Sequence, residues 1–276
     1  MNTPTWLIEA VQYQNDRNCP QRLSYLLQEL GCEVIVFDDS DLSFLSNLKG
    51  KEPVVYYGSI NTLLDIRQQE KSLPQPFAWY DPLIFSCKNY YKQLKPFVLP
   101  ENPYFSTLGA LDNSELVDYL YSQHGKDDVV FIRPNDNEKT FTGTLVRKTN
   151  LRTWSNDMTL RRYVPEATEI IVSAPQKIVY EWRFIIVNEK VASGSQYMSN
   201  GFCDPMEGFD DRAACFAEEA ASCWSPYPVY IMDVGEVPGR GFVIVEIGPF
   251  NYAGLYQSDI RAIAKAINGS LRYSIR

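Results

Sequence analysis

Apolar and polar positions fall into alternating blocks along residues 1–100. The run 5–11 (TWLIEAV) predicts a strand. Residues 19–31 put Leu23, Leu26, Leu27 and Leu30 at helical spacing and end at Gly31, which predicts an amphipathic helix. Continuous apolar runs at 32–38 and 53–60 have strand length, and 61–69 reads as a short helix. Strand, helix and strand in that order, with runs apolar throughout, predict a small parallel sheet of buried strands. No GxGxxG follows the first strand, so the dinucleotide-binding fingerprint is missing.

Three prolines in 95–105 break the pattern and place a domain boundary near residue 100, giving domains 1–100 and 101–276. Residues 112–125 open with an Asp/Asn cap and an acidic first turn, and predict a helix. Beyond it strands dominate, at 128–134, 168–175, 180–187 and 190–198, with Asn188 and Glu189 turning one into the next. Residues 134–143 are polar and loop-like. Residues 199–211 are either a lid or a surface connection. The alanine-rich 210–224 and the final 256–267 read as helices.

Between those helices lie two nearly unbroken apolar runs joined by a Gly/Pro turn. With the turn centred on Gly239 and Arg240, Asp233 and Glu246 face each other on antiparallel strands. Like charges so placed repel, which calls for a proton or a cation between them. Hard cations such as Mg²⁺ take carboxylate oxygens together with substrate phosphates, so a metal–nucleotide site is the leading expectation. The alternative is two acids solvated on an exposed sheet, and the apolar flanks argue against it. Asn251 offers an amide oxygen nearby.

Other residues add to that picture. Arg133 ends an apolar strand and precedes a loop with Lys139, Thr140, Thr142 and Gly143, suited to phosphate oxygens or else an ordinary surface hairpin. No Walker loop is present. Glu181 and Arg183 share one strand face, opposite Trp182, Phe184 and Ile186, and either pair with each other or serve a ligand.

Composition narrows the classes. Apolar residues make up 45% and charged residues 22%, as in ordinary globular proteins. Neither a membrane span nor a secretory signal is legible, which points to the cytoplasm. The six cysteines show no CxxC spacing and read as reduced, mostly buried thiols. The single histidine, His124, argues against zinc and against His-dependent nucleophilic sites. A net charge of −8 argues against a nucleic-acid partner. The pairs Arg147-Lys148 and Arg161-Arg162 are either solvated surface or face a phosphate-bearing ligand.

The order of these features is more specific than any one of them. Arg133, the 139–143 loop, the strand and connector at 168–176, Glu181-x-Arg183 and Asp233, Glu246, Asn251 together resemble the ATP-grasp superfamily, most closely a branch of small bacterial and phage members. The pieces RPNDNEKTFTG, EWRFIIVNEKVASGSQY and VIVEIGPFNYAGLY carry the likeness. It implies an α/β and α+β fold: a small parallel N-terminal subdomain, then a two-subdomain ATP-grasp fold with mainly antiparallel sheets. It implies ATP and Mg²⁺ as cofactors, with Arg133, Lys139, Thr142 and Gly143 at the phosphates. Ile171, Val172 and Ser173 would form an adenine hinge, and Glu181 would lie near ribose. Arg183 would sit near the γ-phosphate or acyl group, and Asp233, Glu246 and Asn251 would hold the metal. The usual family pattern is Glu-x-Asn, and here Gly248 departs from it. The implied reaction is carboxylate–amine ligation through an acyl phosphate, on small-molecule or peptide substrates. The alternatives are an ATP-grasp phosphotransferase and a nucleotide-binding module without catalysis. Substrate identity and oligomeric state are not legible in the chain.

Overall fold

The structure, a computed structural model, describes residues 3–10, 19–48, 51, 53–69, 73–74 and 76–273. It divides into two compact units, Met1–Asp81 with Ile178–Arg276, and Pro82–Lys177. Residue 11, the end of the first expected strand, lies outside the described residues.

In the first unit, β1 (Thr5–Glu9), β2 (Glu33–Phe37) and β3 (Val54–Tyr57) form a parallel sheet in the order β2-β1-β3. Helices α1 (Cys19–Glu29) and α2 (Ile60–Gln69) alternate with them, as the apolar blocks predict. β1 is buried along its whole length. β2 departs from the expectation of a buried strand: it is an edge strand, and Val36 is 53% exposed.

The same unit holds a five-stranded antiparallel sheet ordered β10-β9-β8-β11-β12. Its strands are β8 (Tyr180–Val187), β9 (Lys190–Ser199), β10 (Phe202–Glu207), β11 (Val229–Val237) and β12 (Gly241–Pro249). Asn188 and Glu189 both take positive φ, as a tight primed hairpin turn between β8 and β9 demands. Residues 202–207, expected to be a lid or connection, are strand β10, reached through a turn at Asn200 and Gly201, both of positive φ. Helix α6 (Asp211–Cys223) lays Ala213, Ala217, Ala220 and Ala221 inward. Helix α7 (Ile260–Tyr273) buries Ile260, Ile263, Ala264, Ile267 and Leu271, a helical stripe. That stripe joins Ile185, Val187, Val229 and Ile231 of the large sheet and Trp6 and Ile8 of β1 in one core. The final helix starts later than the expected 256 because Asp259 caps it, accepting from the Ala262 N–H at 3.0 Å.

The second unit is a four-stranded antiparallel sheet ordered β4-β7-β5-β6. Its strands are β4 (Tyr104–Thr107), β5 (Val129–Pro134), β6 (Thr144–Arg147) and β7 (Glu169–Ser173). Three helices accompany it: α3 (Cys87–Gln93), α4 (Ser114–His124) and α5 (Leu151–Asn156), the last running into a π-turn, Asp157–Arg161. Val130, Ile132, Val146, Ile170 and Val172 face Leu120, Leu151 and Met158 in its core. His124 closes the last turn of α4, where burial lowers its pKa. Of the cysteines with described side chains, Cys32 and Cys87 are buried, whereas Cys203, Cys215 and Cys223 are exposed, against the expectation of mostly buried thiols.

Candidate functional site

The face of the large sheet that is apolar at Ile185, Val187 and Ile231 turns polar toward the other end of β8 and β11. Asp233 stands between Arg183 on β8 and Glu246 on β12 in direct cross-strand register. The pairing of Asp233 with Glu246 is the one the sequence predicts, reached by a different route. Val237 pairs Gly241 around a loop at 238–240, and a bulge between Asp233 and Val234 restores the register.

The charge between the two acids is met from within the chain. Arg183 clasps Asp233 with its fork, Nε donating to Oδ1 at 2.8 Å and Nη2 to Oδ2 at 2.7 Å. Its Nη1 donates to the Gly254 carbonyl at 3.2 Å. The rings of Tyr197 and Tyr256 stack on each other at 5.0 Å between centroids, and the guanidinium carbon lies 5.5 Å and 5.2 Å from those centroids. Burial opposes the Arg183 charge, and the Asp233 carboxylate outweighs it, holding the guanidinium pKa well above its ordinary value. The alternative of a Glu181–Arg183 ion pair is not what forms.

Glu181 instead accepts a 2.6 Å hydrogen bond from the Tyr197 hydroxyl, which also lies 3.4 Å from Asp233 Oδ2. Tyr197 is the extra residue of a bulge on β9 opposite Glu181 and Trp182. Burial pushes the Glu181 carboxyl up, the Tyr197 hydroxyl holds it down, and the charges of Asp233 and Glu246 add to the rise. Burial likewise drives the Tyr197 hydroxyl pKa well up, with Asp233 and Glu181 adding to it. Three acids therefore share one patch with one guanidinium. Tyr197 was not among the expected site residues. An isolated tyrosine in a strand reads as packing, and the bulge that brings it to the acids has no local sequence signal.

Among the described residues no group of three or more His, Cys, Asp or Glu side chains is assembled to hold an ion. The donor chemistry nevertheless suits a hard cation. Glu246 is half-buried and makes no hydrogen bond or ion pair among the described residues. Asp233 Oδ1 has a second lone pair beyond the one given to Arg183, while Oδ2 also faces the Tyr197 hydroxyl at 3.4 Å, a long contact from a proton already given to Glu181. Two opposed carboxylates with open valences fit Mg²⁺, which completes its shell with water and phosphate oxygens.

Asn251 does not join them. It is 0% exposed, its Oδ1 accepts from the Trp79 N–H at 2.8 Å, and its Nδ2 donates to the Tyr56 carbonyl at 2.6 Å. The expected metal ligand is a strut tying β12's exit to the parallel sheet, because a buried amide flanked by two backbone groups satisfies them first.

In the second unit Arg133 lies opposite Ile171 on β7. A Cβ on Gly143 would stand 2.5 Å from Phe131 Cζ and 3.3 Å from Arg133 Cβ, so a larger residue closes the loop on that face only if the ring and the Arg133 root shift. Asp136 shapes the loop by accepting from the Thr140 N–H and hydroxyl, at 3.2 Å and 2.7 Å. Lys139 is exposed at its tip with φ of 58°. Ile171 and Val172 do not offer free backbone groups as a hinge should, since β7 is paired on both sides there, with β4 and with β5. The free backbone begins after Ser173, in the connector at 174–177, where the chain passes from one unit to the other.

A family model for the ATP-grasp domain, the second family of its clade, matches residues 106–266, more than half of the chain. The chain belongs to the ATP-grasp family. Its fold is that of ATP-grasp ligases. It is similar to D-cycloserine synthetase DcsG, at 15% identity and a TM-score of 0.69 over 97% of this chain and 99% of that one. It is similar to D-alanine–D-alanine ligase from Bacillus anthracis complexed with ATP, at 12% identity and 0.65 over 99% and 98%. Macrocyclase MdnC bound with precursor peptide MdnA, from Microcystis aeruginosa MRC, matches at 16% and 0.59 over 96% and 99%. No curated protein sequence matches the chain. Among the described residues no helix of this ATP-grasp protein is long and apolar enough to cross a membrane.

Proposed function

We propose that this protein is a cytoplasmic ATP-dependent carboxylate–amine ligase that forms an amide through an acyl phosphate. The observation that carries this reading is the patch of Glu181, Asp233 and Glu246 around Arg183 in a chain of the ATP-grasp family. In this reading residues 1–100 precede an ATP-grasp domain at 101–276. Arg133, Lys139, Thr142 and Gly143 hold the phosphates, the connector at 174–177 meets adenine through its backbone, and Glu181 takes the ribose. Asp233 and Glu246 hold Mg²⁺, which neutralises phosphate charge when bound. A substrate carboxylate attacks the γ-phosphorus, giving acyl phosphate and ADP, and an amine then displaces phosphate. The side chains position groups and neutralise charge, so no nucleophilic residue is required. Arg183, which keeps N–H donors beyond those engaged with Asp233 and Gly254, steadies the phosphoryl group. The structurally similar proteins include one bound to a precursor peptide, which supports peptides beside small molecules as substrates.

The test has two stages. ATP with Mg²⁺ raises the melting temperature, since a ligand of the native state stabilises it. Glu246→Gln removes the Mg²⁺-dependent part of that rise. ADP release in a screen of carboxylates then requires an added amine. Sustained release without any amine, with a stable phosphorylated product in equal amount, makes the protein a phosphotransferase. A second reading, nucleotide binding without turnover, is favoured by the two Asp233 oxygens already held by Arg183 and by Gly248 at the family's usual Asn position. It predicts the thermal response with no ADP from any substrate pair.

A further inference from the structure

The second unit contains a groove of about 740 Å³ beside the outer edge of its sheet. β6 is an edge strand. The Lys148 N–H donates to the Asp128 carbonyl at 2.9 Å, and the Val146 carbonyl accepts from the Tyr121 hydroxyl at 3.0 Å. In an antiparallel ladder bonded at Lys148 and Val146, the N–H and C=O of Leu145 and the N–H of Arg147 point away from β5. No strand pairs with them among the described residues. The facing wall is α5 and the π-turn after it, through Thr153, Trp154, Asn156 and Leu160.

Two features describe what this edge accepts. Leu145 is 61% exposed and Leu160 72% exposed, large apolar side chains at the groove. The charge is the reverse of the chain's. The groove is lined by Arg147 and Arg161 against Asp157, in a protein of net charge −8. Arg147 lines the groove, and its guanidinium is engaged by a backbone carbonyl, that of Asp127 at 3.2 Å. Arg161 also lines it, 83% exposed and 3.4 Å from Asp157.

We infer that this groove docks an extended acidic peptide segment, which adds to the edge of β6 as a further strand. Main-chain hydrogen bonds to Leu145 and Arg147 give the binding energy. Leu145 and Arg147 share the exposed face of β6, and Leu160 and Arg161 stand on the wall beside the other. Alternate side chains of the added strand fall on the two faces, so its apolar residues meet the leucine of one face while its carboxylates meet the arginine of the other. The site is independent of the proposed ligase reaction and uses none of its residues.

The probe is a capped, fluorescent peptide of alternating valine and glutamate, titrated into the full chain by anisotropy. Saturable binding is expected, with protection of the Leu145 and Arg147 amides from hydrogen exchange. Methylating alternate peptide amides weakens binding at least tenfold, and so does the R147E/R161E double variant. Leu160→Asp serves as a second variant should the double one fold poorly. The thermal response to ATP and Mg²⁺ stays unchanged in these variants, which separates failure here from failure of the ligase reading. Equal affinity for the methylated peptide or for a lysine-for-glutamate peptide overturns the inference. So does tighter binding of an oligonucleotide of equal charge, or sedimentation showing that a second copy of the chain already covers the edge.

Discussion

Arg183 and Asp233 form a doubly hydrogen-bonded ion pair in which the side chains are only 8% and 2% exposed. Removing one member of such a pair strands the other charge in a poorly solvated place, at a cost of about 3–5 kcal/mol. Arg183→Met and Asp233→Ala are each expected to lose that much, measured by urea unfolding. The double variant is expected to be more stable than the sum of the two losses implies, because neither charge is then left unpaired. Simple additivity would show that the pair is not coupled.

Asn251 gives a second prediction, one that separates a strut from a ligand. Asn251→Ala leaves the Trp79 N–H and the Tyr56 carbonyl buried without their partner. Each such group costs about 1–3 kcal/mol. The variant is expected to unfold at lower urea and to keep the Mg²⁺-dependent part of the response to ATP. Loss of that part with little change in stability would return Asn251 to the metal.

These two residues show where sequence reasoning reached and where it stopped. The longer buried strands, the facing of Asp233 and Glu246, and the order of family features were legible because apolar runs and turn residues are local signals, whereas β4, β6 and β10 were not. The hairpin was right although the loop sits one position off, since the bulge beside Asp233 offsets it. The choice of Arg183 as the partner of Asp233 depends on β8 lying beside β11, which no local pattern records. The partners of Asn251 are 172 and 195 positions away in the chain. The stretch 144–167 is illegible in the sequence because β6 is short and α5 mixes Asn, Thr, Arg and Ser with its apolar positions.

Glu181 predicts a pH dependence. Burial raises its carboxyl pKa, against the Tyr197 hydroxyl and with help from the neighbouring acids. A carboxyl whose folded pKa exceeds its unfolded one holds its proton more tightly when folded. The stability it confers is complete below the ordinary carboxylate range and is lost as pH rises through the raised folded value. Glu181→Gln removes that loss. Measured by urea unfolding at several pH values, the variant is expected to gain on the wild type as pH climbs through that window. A difference that is constant across it would mean that Glu181 titrates normally.

Gly143 carries the last prediction. A methyl group at its position would press on the Phe131 ring and on Cβ of Arg133. The ring end can yield, but Arg133 Cβ is fixed to strand β5 and moves only with it. Gly143→Ala is therefore expected to shift the loop bearing Lys139 and the root of Arg133 together. Overpacking of this kind costs about 1–3 kcal/mol in stability. If these residues hold the triphosphate, its affinity falls further than stability does, because both phosphate-facing cations move. The check is ATP titration by calorimetry beside urea unfolding of the same variant. An unchanged ATP affinity, with the stability loss present, would take the 139–143 loop out of the nucleotide site.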